Sequence, residues 1–177
     1  MMNEALNCLE TRRSCRAFAP RQVEEEALQA ILRAGSFAAN GRGNQPCRVV
    51  VVQDAETVAK LQAMNAAVIG NPDMRPFYDA PTVLIVFADA AASPNTYVED
   101  GSLVMGNLMN AAHAVGVGSC WVHRARQMFQ SPEGKALMRQ WGIEDSYVGI
   151  ANCILGYPAR EFPQPKPRRA DFVVRAE

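Results

Sequence analysis

Residues 82–88 read Thr82-Val83-Leu84-Ile85-Val86-Phe87-Ala88. A nearly continuous apolar run of this length is the pattern of a strand covered on both faces, since a half-exposed strand would alternate with polar residues. The segment Gly70 to Pro81 before it reads as loop. After it, a long helix is predicted over about Tyr97 to Val115, apolar at Val98, Leu103, Val104, Leu108, Met109 and Ala112. Gly106, Ala111 and Ala114 permit close approach of another helix on that element.

Further out on the N-terminal side, Val49-Val50-Val51-Val52 has strand character, and Asp54 can cap a helix running to about Ala66. A first helix is predicted from an Asn3 cap to Thr11. A second runs from Val23 to Ala34, with Glu24, Glu25 and Glu26 at its positive end and Gly35 as its C-cap. On the C-terminal side, Gly118–Val122 is a short strand, Ser131-Pro132-Glu133 starts a helix that ends near Trp141-Gly142, and Val148–Leu155 is a last strand. Pro158, Pro163, Pro165 and Pro167 keep the tail extended. No repeat or linker divides the chain, so the expectation is one α+β domain over residues 1–177, with 158–177 as an extended tail.

The 18 basic and 18 acidic residues cancel, which argues against a general nucleic-acid or membrane-surface binder. The charges are nevertheless unevenly placed. Arg12, Arg13, Arg16 and Arg21 lie between Thr11 and Val23 with no acid among them, and the tail repeats the bias at Lys166, Arg168 and Arg169. Two basic clusters at opposite ends of a neutral chain suggest one anion site assembled by folding. The five cysteines are scattered without a C-x-x-C pair, so neither a disulfide framework nor a metal site is expected, and a reducing cytoplasm is the natural compartment. No stretch reads as a signal peptide or membrane span.

Four stretches carry candidate chemistry. In Arg12-Arg13-Ser14-Cys15-Arg16-Ala17-Phe18, guanidinium forks and a hydroxyl could chelate one phosphate, or the stretch is a solvated basic turn. Lys166-Pro167-Arg168-Arg169 is a loose basic tail or a docked one, and the apolar Phe172-Val173-Val174 favours docking. The loop Ala38 to Pro46, reading AANGRGNQP, has small residues that let backbone approach a flat ligand, or is an ordinary loop. Gly116-Val117-Gly118-Ser119-Cys120-Trp121-Val122-His123-Arg124 contains G-x-G. Trp121 stands where a dinucleotide fingerprint needs its third glycine, and a helix precedes it, so that reading fails. His113, midway along an apolar helix, reads as structural.

Taken in order, RRSCRAF, NGRGNQP before a strand, APTVLIVF with a long helix, GVGSCWVHRA, CILGYP and a KPRR tail resemble the nitroreductase family over essentially the whole chain. The resemblance implies a three-layer α+β sandwich, with a central, mainly antiparallel or mixed sheet flanked by helices. It further implies a homodimer with FMN at its interface, reduction by NADH or NADPH, and re-oxidation by nitroaromatics, quinones or related acceptors. By the same resemblance, Arg12, Arg13, Ser14 and Arg16 are the phosphate and pyrimidine-side contacts, completed by Lys166 and Arg168 of the tail. Ala39, Asn40, Gly41 and Gly43 form the loop covering the flavin of the partner subunit, Asn65 is a ring-edge contact, and His123 and Arg124 present backbone amides near N5 and O4. Cys47 replaces an aromatic frequent after Gln-Pro, and the short chain lacks the insertions that build a lid in larger members.

No catalytic side chain and no metal is implied, because the flavin N5 carries the chemistry. Three other readings compete. Within the family, the chemistry could be reductive dehalogenation, enoate reduction or flavin fragmentation. The chain could bind flavin without turnover. A small RNA-binding domain is disfavoured by the neutral charge and by aromatics that do not interleave with the basic residues.

Overall fold

The computed structural model describes residues 3–176. Helices α1 (Glu4–Thr11) and α2 (Glu25–Ser36) lead to strand β1 (Cys47–Val52), helix α3 (Ala55–Ile69) and strand β2 (Thr82–Asp89). Helix α4 (Tyr97–Ala114), strand β3 (Gly118–Val122), helices α5 (Ala125–Gln130) and α6 (Pro132–Gln140) and strand β4 (Tyr147–Gly156) follow. The four strands form one sheet in the order β1-β2-β4-β3, every neighbouring pair antiparallel.

Strand β2 is central, and its apolar run divides between two cores by the period of the pleat. Val83, Ile85 and Phe87 face α3, α5 and α6, joined there by Leu61, Met128, Phe129 and Leu137. Leu84, Val86 and Ala88 face α2 and α4, joined by Ile31, Met105 and Leu108. All six β2 side chains are fully enclosed, each of the larger ones contributing about 1.5–3 kcal/mol of burial. Helices on both faces of a sheet make the three layers expected of the chain. Among the described residues, no helix is long and apolar enough to cross a membrane.

Local signals fix most boundaries. Asn3 accepts from Leu6 N–H, Asp54 from Thr57 N–H and Ser131 from Gly134 N–H, so the starts of α1, α3 and α6 have side-chain caps. The second helix departs from expectation at both ends. It starts at Glu25, with Val23 and Leu28 both in the core as an apolar staple around its first turn. It also runs through Gly35 to Ser36, so Gly35 is not the C-cap. Gly35 is buried against α4, where a Cβ would lie 2.6 Å from Leu108 Cδ2. Glycine stands there for interhelix contact rather than termination. Helix α5 is absent from the sequence reading. It has six residues, too few to show a period, and Ser131 both ends it and caps α6.

Candidate functional site

The basic segment after α1 docks on the free edge of β3. Cys15 N–H donates to Ser119 O at 2.8 Å, and Ser14 forms a parallel bridge to Ser119. Gly118 makes room for it, since a Cβ there would lie 2.8 Å from both Cβ and Sγ of Cys15. From the other side, Ala19 N–H donates to Tyr157 O at 2.8 Å and Ala159 N–H to Ala17 O at 3.0 Å. The start of the tail is thereby stitched to the first basic cluster. Phe162 continues the contact with its ring 6.3 Å from that of His113, at the end of α4.

Folding thus gathers charge that the sequence separates. Arg12 and Arg13 are partly buried, and Arg16 and Arg160 are exposed nearby. Arg13 Nη1 donates to Glu10 O and Arg12 O, both at 2.7 Å, whereas Arg12 Nη1 and Arg13 Nε are enclosed without a partner among the described residues. No carboxylate pairs with any of these arginines among the described residues. Burial, then the charges of Arg12 and Arg13, hold His113 below the usual imidazole range, and its Nε2 lies 2.9 Å from Thr11 Oγ1. Unpaired donors in an uncompensated cationic cluster fit an oxyanion such as phosphate. Arg160 was missed by the sequence reading, which treated its stretch as tail. Its charge reaches Cys15, where it opposes a thiol pushed up chiefly by burial. Lys166 and Arg168 are exposed and make no ion pair among the described residues, while Arg169 pairs with Asp171.

Strand β3 connects this cluster to a second locus. From Ser119 to His123 is four strand steps, about 13 Å, suited to a ring carried on a phosphorylated chain. His123 and Arg124 border a cavity of about 370 Å³ whose walls include Val98, Ser102 and Trp121. Arg124 holds a left-handed backbone (φ 79°, ψ 10°), uncommon for a residue with a Cβ. Asn65, expected at a ring edge, is instead fully enclosed in the core. Its Nδ2 donates to His123 O at 2.8 Å, so it reaches the locus only through backbone.

The loop containing Ala39, Asn40, Gly41 and Gly43 lies elsewhere. Gly41 N–H donates to the buried Asp100 carboxylate at 2.8 Å, and Asn40 Oδ1 accepts from Gln45 N–H at 2.9 Å. Arg42 and Gln45 both take positive φ, 56° and 48°. Asp100 lies near the start of α4 and His113 near its end. The intervening 13 residues of helix span about 20 Å, so one chain does not bring this loop to the basic cluster.

Two of the thiols, Cys47 and Cys153, are held in their protonated form. Burial, with a smaller contribution from Asp100, pushes Cys47 up to about 11, and burial pushes Cys153 up to about 12. Neither is poised as a nucleophile.

A model of the nitroreductase family matches residues 9–157 of the chain. An Archaeoglobus fulgidus protein named "Putative NADH dehydrogenase/NAD(P)H nitroreductase" is 33% identical over 166 residues, which are 90% of this chain and 88% of that one. Among solved structures, a nitroreductase with bound FMN from Desulfitobacterium hafniense matches with a TM-score of 0.89 at 25% identity, covering 100% of both chains. A nitroreductase with bound FMN from Bacteroides fragilis matches with a TM-score of 0.88 at 25% identity, covering 99% of this chain and 100% of its own.

Proposed function

The chain belongs to the nitroreductase family, and on that premise we propose that it is an FMN-dependent oxidoreductase carrying reducing equivalents from NADH or NADPH to nitroaromatics, quinones or similar acceptors. The observation that carries this reading is the cationic cluster on the β3 edge, with Arg12 Nη1 and Arg13 Nε enclosed and unpartnered among the described residues. A single phosphate beside these guanidinium groups would balance their charge. One such cluster, with no dinucleotide fingerprint, favours FMN over FAD.

Bound FMN supplies reversible two-electron redox chemistry that no side chain here could provide. The chain's own part is binding, orientation and electrostatics. Arg12, Arg13 and Ser14 hold the phosphate, with Lys166 and Arg168 closing from the tail. Arg16 would supply positive charge at the pyrimidine edge of a bound flavin. The N–H groups of His123 and Arg124 would donate at the opposite edge, with Trp121 and Val98 in the cavity wall beside them. A nicotinamide and an acceptor would in turn need access to the ring that these residues would hold.

The functional unit is a homodimer. A groove of about 500 Å³ between α1 and α4 is lined by Ala5, Cys8, Leu9 and Ala111. Leu9 and Leu103 are 57% and 48% exposed on the same two helices, an apolar surface a second copy would cover. The separation of about 20 Å along α4 keeps the chain's own Asn40–Gly43 loop from its basic cluster, and the loop of the second copy would cover the flavin instead. The tail after Pro158 belongs to that same interface.

The test begins with the purified protein. Noncovalent FMN, bleached rapidly by a reduced nicotinamide, is the expected result, with ping-pong initial-rate patterns against a quinone. His123→Ala should keep substantial activity, because its backbone carries the role. A protein that binds FMN yet is not reduced by either nicotinamide is a flavin carrier and overturns the enzymatic reading.

A further inference from the structure

Two fully buried asparagines from different elements converge on the exit of β3. Asn65 of α3 donates from Nδ2 to His123 O at 2.8 Å, and Asn152 of β4 donates from Nδ2 to Val122 O at 3.4 Å. Both nitrogens also lie against Met128 Sδ, at 3.2 and 3.5 Å. Both Oδ1 atoms are enclosed without a partner among the described residues. An orphaned buried oxygen is a cost that leucine, similar in shape, would not carry. Stability alone does not account for asparagine at either position.

The two acceptors are consecutive carbonyls. In a trans peptide the C=O and the following N–H point in opposite directions within one rigid plane. Holding Val122 O therefore aims the N–H of His123 away from the core, and holding His123 O aims the N–H of Arg124 the same way. Neither N–H donates a hydrogen bond outside the regular elements among the described residues. The left-handed backbone at Arg124 is a conformation that persists only where its surroundings impose it. We infer that Asn65 and Asn152 are positioning residues, a pair of buried amides that aim the N–H donors of His123 and Arg124 at one edge of the bound flavin ring. This rests on the ring site proposed above. It also gives Asn65 a part in the site without direct contact, and brings in Asn152, which no sequence motif marks.

The test compares full-length Asn65→Leu and Asn152→Leu with wild type. If the amides only stabilise the fold, the FMN-free melting temperature falls and the bound flavin is unaltered. If they position the donors, the FMN-free melting temperature holds or rises. FMN affinity then drops roughly three- to tenfold per variant, the loss of one hydrogen bond, and the visible band and midpoint potential of bound FMN move from their wild-type values. Wild-type affinity, spectrum and potential in both variants would overturn the inference.

A measurement on the unaltered protein covers the case in which neither variant folds. Only two histidines occur in the chain, so ¹⁵N-histidine labelling gives two backbone amide signals, assigned with His113→Gln. A preset donor requires a single narrow His123 signal before FMN is added; a split or exchange-broadened one overturns the inference. A His123 signal that does not move when FMN saturates the protein removes the ring site itself, and the inference with it. A narrow signal that moves supports both.

Discussion

The carboxylate of Asp100, 2% exposed near the start of α4, accepts from the backbone N–H of Gly41 at 2.8 Å and from the Thr96 hydroxyl at 2.9 Å. A buried charge satisfied by a loop amide makes that loop part of the rigid scaffold rather than a free connection. Asp100→Ala should cost about 1.5–3 kcal/mol of stability, the worth of hydrogen bonds to a charged group. On the role proposed for the Asn40–Gly43 loop, it should also weaken FMN binding. Asp100→Asn, which keeps an acceptor oxygen, should lose less of both. Denaturant melts and an FMN titration read the two effects; an alanine variant with wild-type values in each would show that the anchor is idle.

Gly35 and Leu108 set the approach of α2 to α4. A Cβ at position 35 would lie 2.6 Å from Leu108 Cδ2 and 3.0 Å from its Cγ, and Leu108 is fully buried. Helix propensity favours alanine over glycine by about 1 kcal/mol, yet overpacking costs about 1–3 kcal/mol. Gly35→Ala should therefore destabilise, and Leu108→Val in the same chain should recover part of the loss. A stabilised Gly35→Ala protein would contradict the tight contact.

His113 gives stability a pH dependence. Its folded pKa lies below the ordinary 6.5 because burial and the charges of Arg12 and Arg13 disfavour the imidazolium. The unfolded chain consequently binds the proton more readily, so this contribution is fully present above pH 6.5 and is lost as pH falls through the lower folded value. In FMN-free protein, His113→Gln should flatten the fall in melting temperature between neutral and mildly acidic pH. An unchanged slope would place the acid sensitivity elsewhere. Phosphate at the cluster should reduce the same slope, since it offsets the two arginines.

Most of the scaffold was legible because its signals are local. The unbroken apolar run of residues 82–88 announced the central strand, and Gly118–Val122 and the Ser131-Pro132 helix start fell where the sequence placed them. The two ends of the chain were readable as basic, but that the tail meets Ala17 and His113 depends on pairings across the whole fold. Gly35 misled because a glycine after a helical run has the same appearance whether it ends the helix or admits a neighbour. Asp100, Asn152 and Arg160 carry no motif. Their parts arise from burial beside residues distant in sequence, which a linear pattern does not encode.

In the proposed arrangement FMN lies between two copies of this chain, with its phosphate in a cluster closed by the tail. Sedimentation of wild type and Arg168→Ala, followed at the protein band and the flavin band together, tests it most directly. In the wild type, flavin should sediment only with a species of twice the chain mass, because a ligand that binds the dimer better than the monomer stabilises the dimer. Arg168→Ala should need about 10- to 100-fold more FMN to reach the same dimer fraction, the loss of a charge-assisted contact worth about 1.5–3 kcal/mol. A monomer that binds FMN with undiminished affinity would contradict the interface, and unaltered flavin affinity in Arg168→Ala would remove the tail from the clamp.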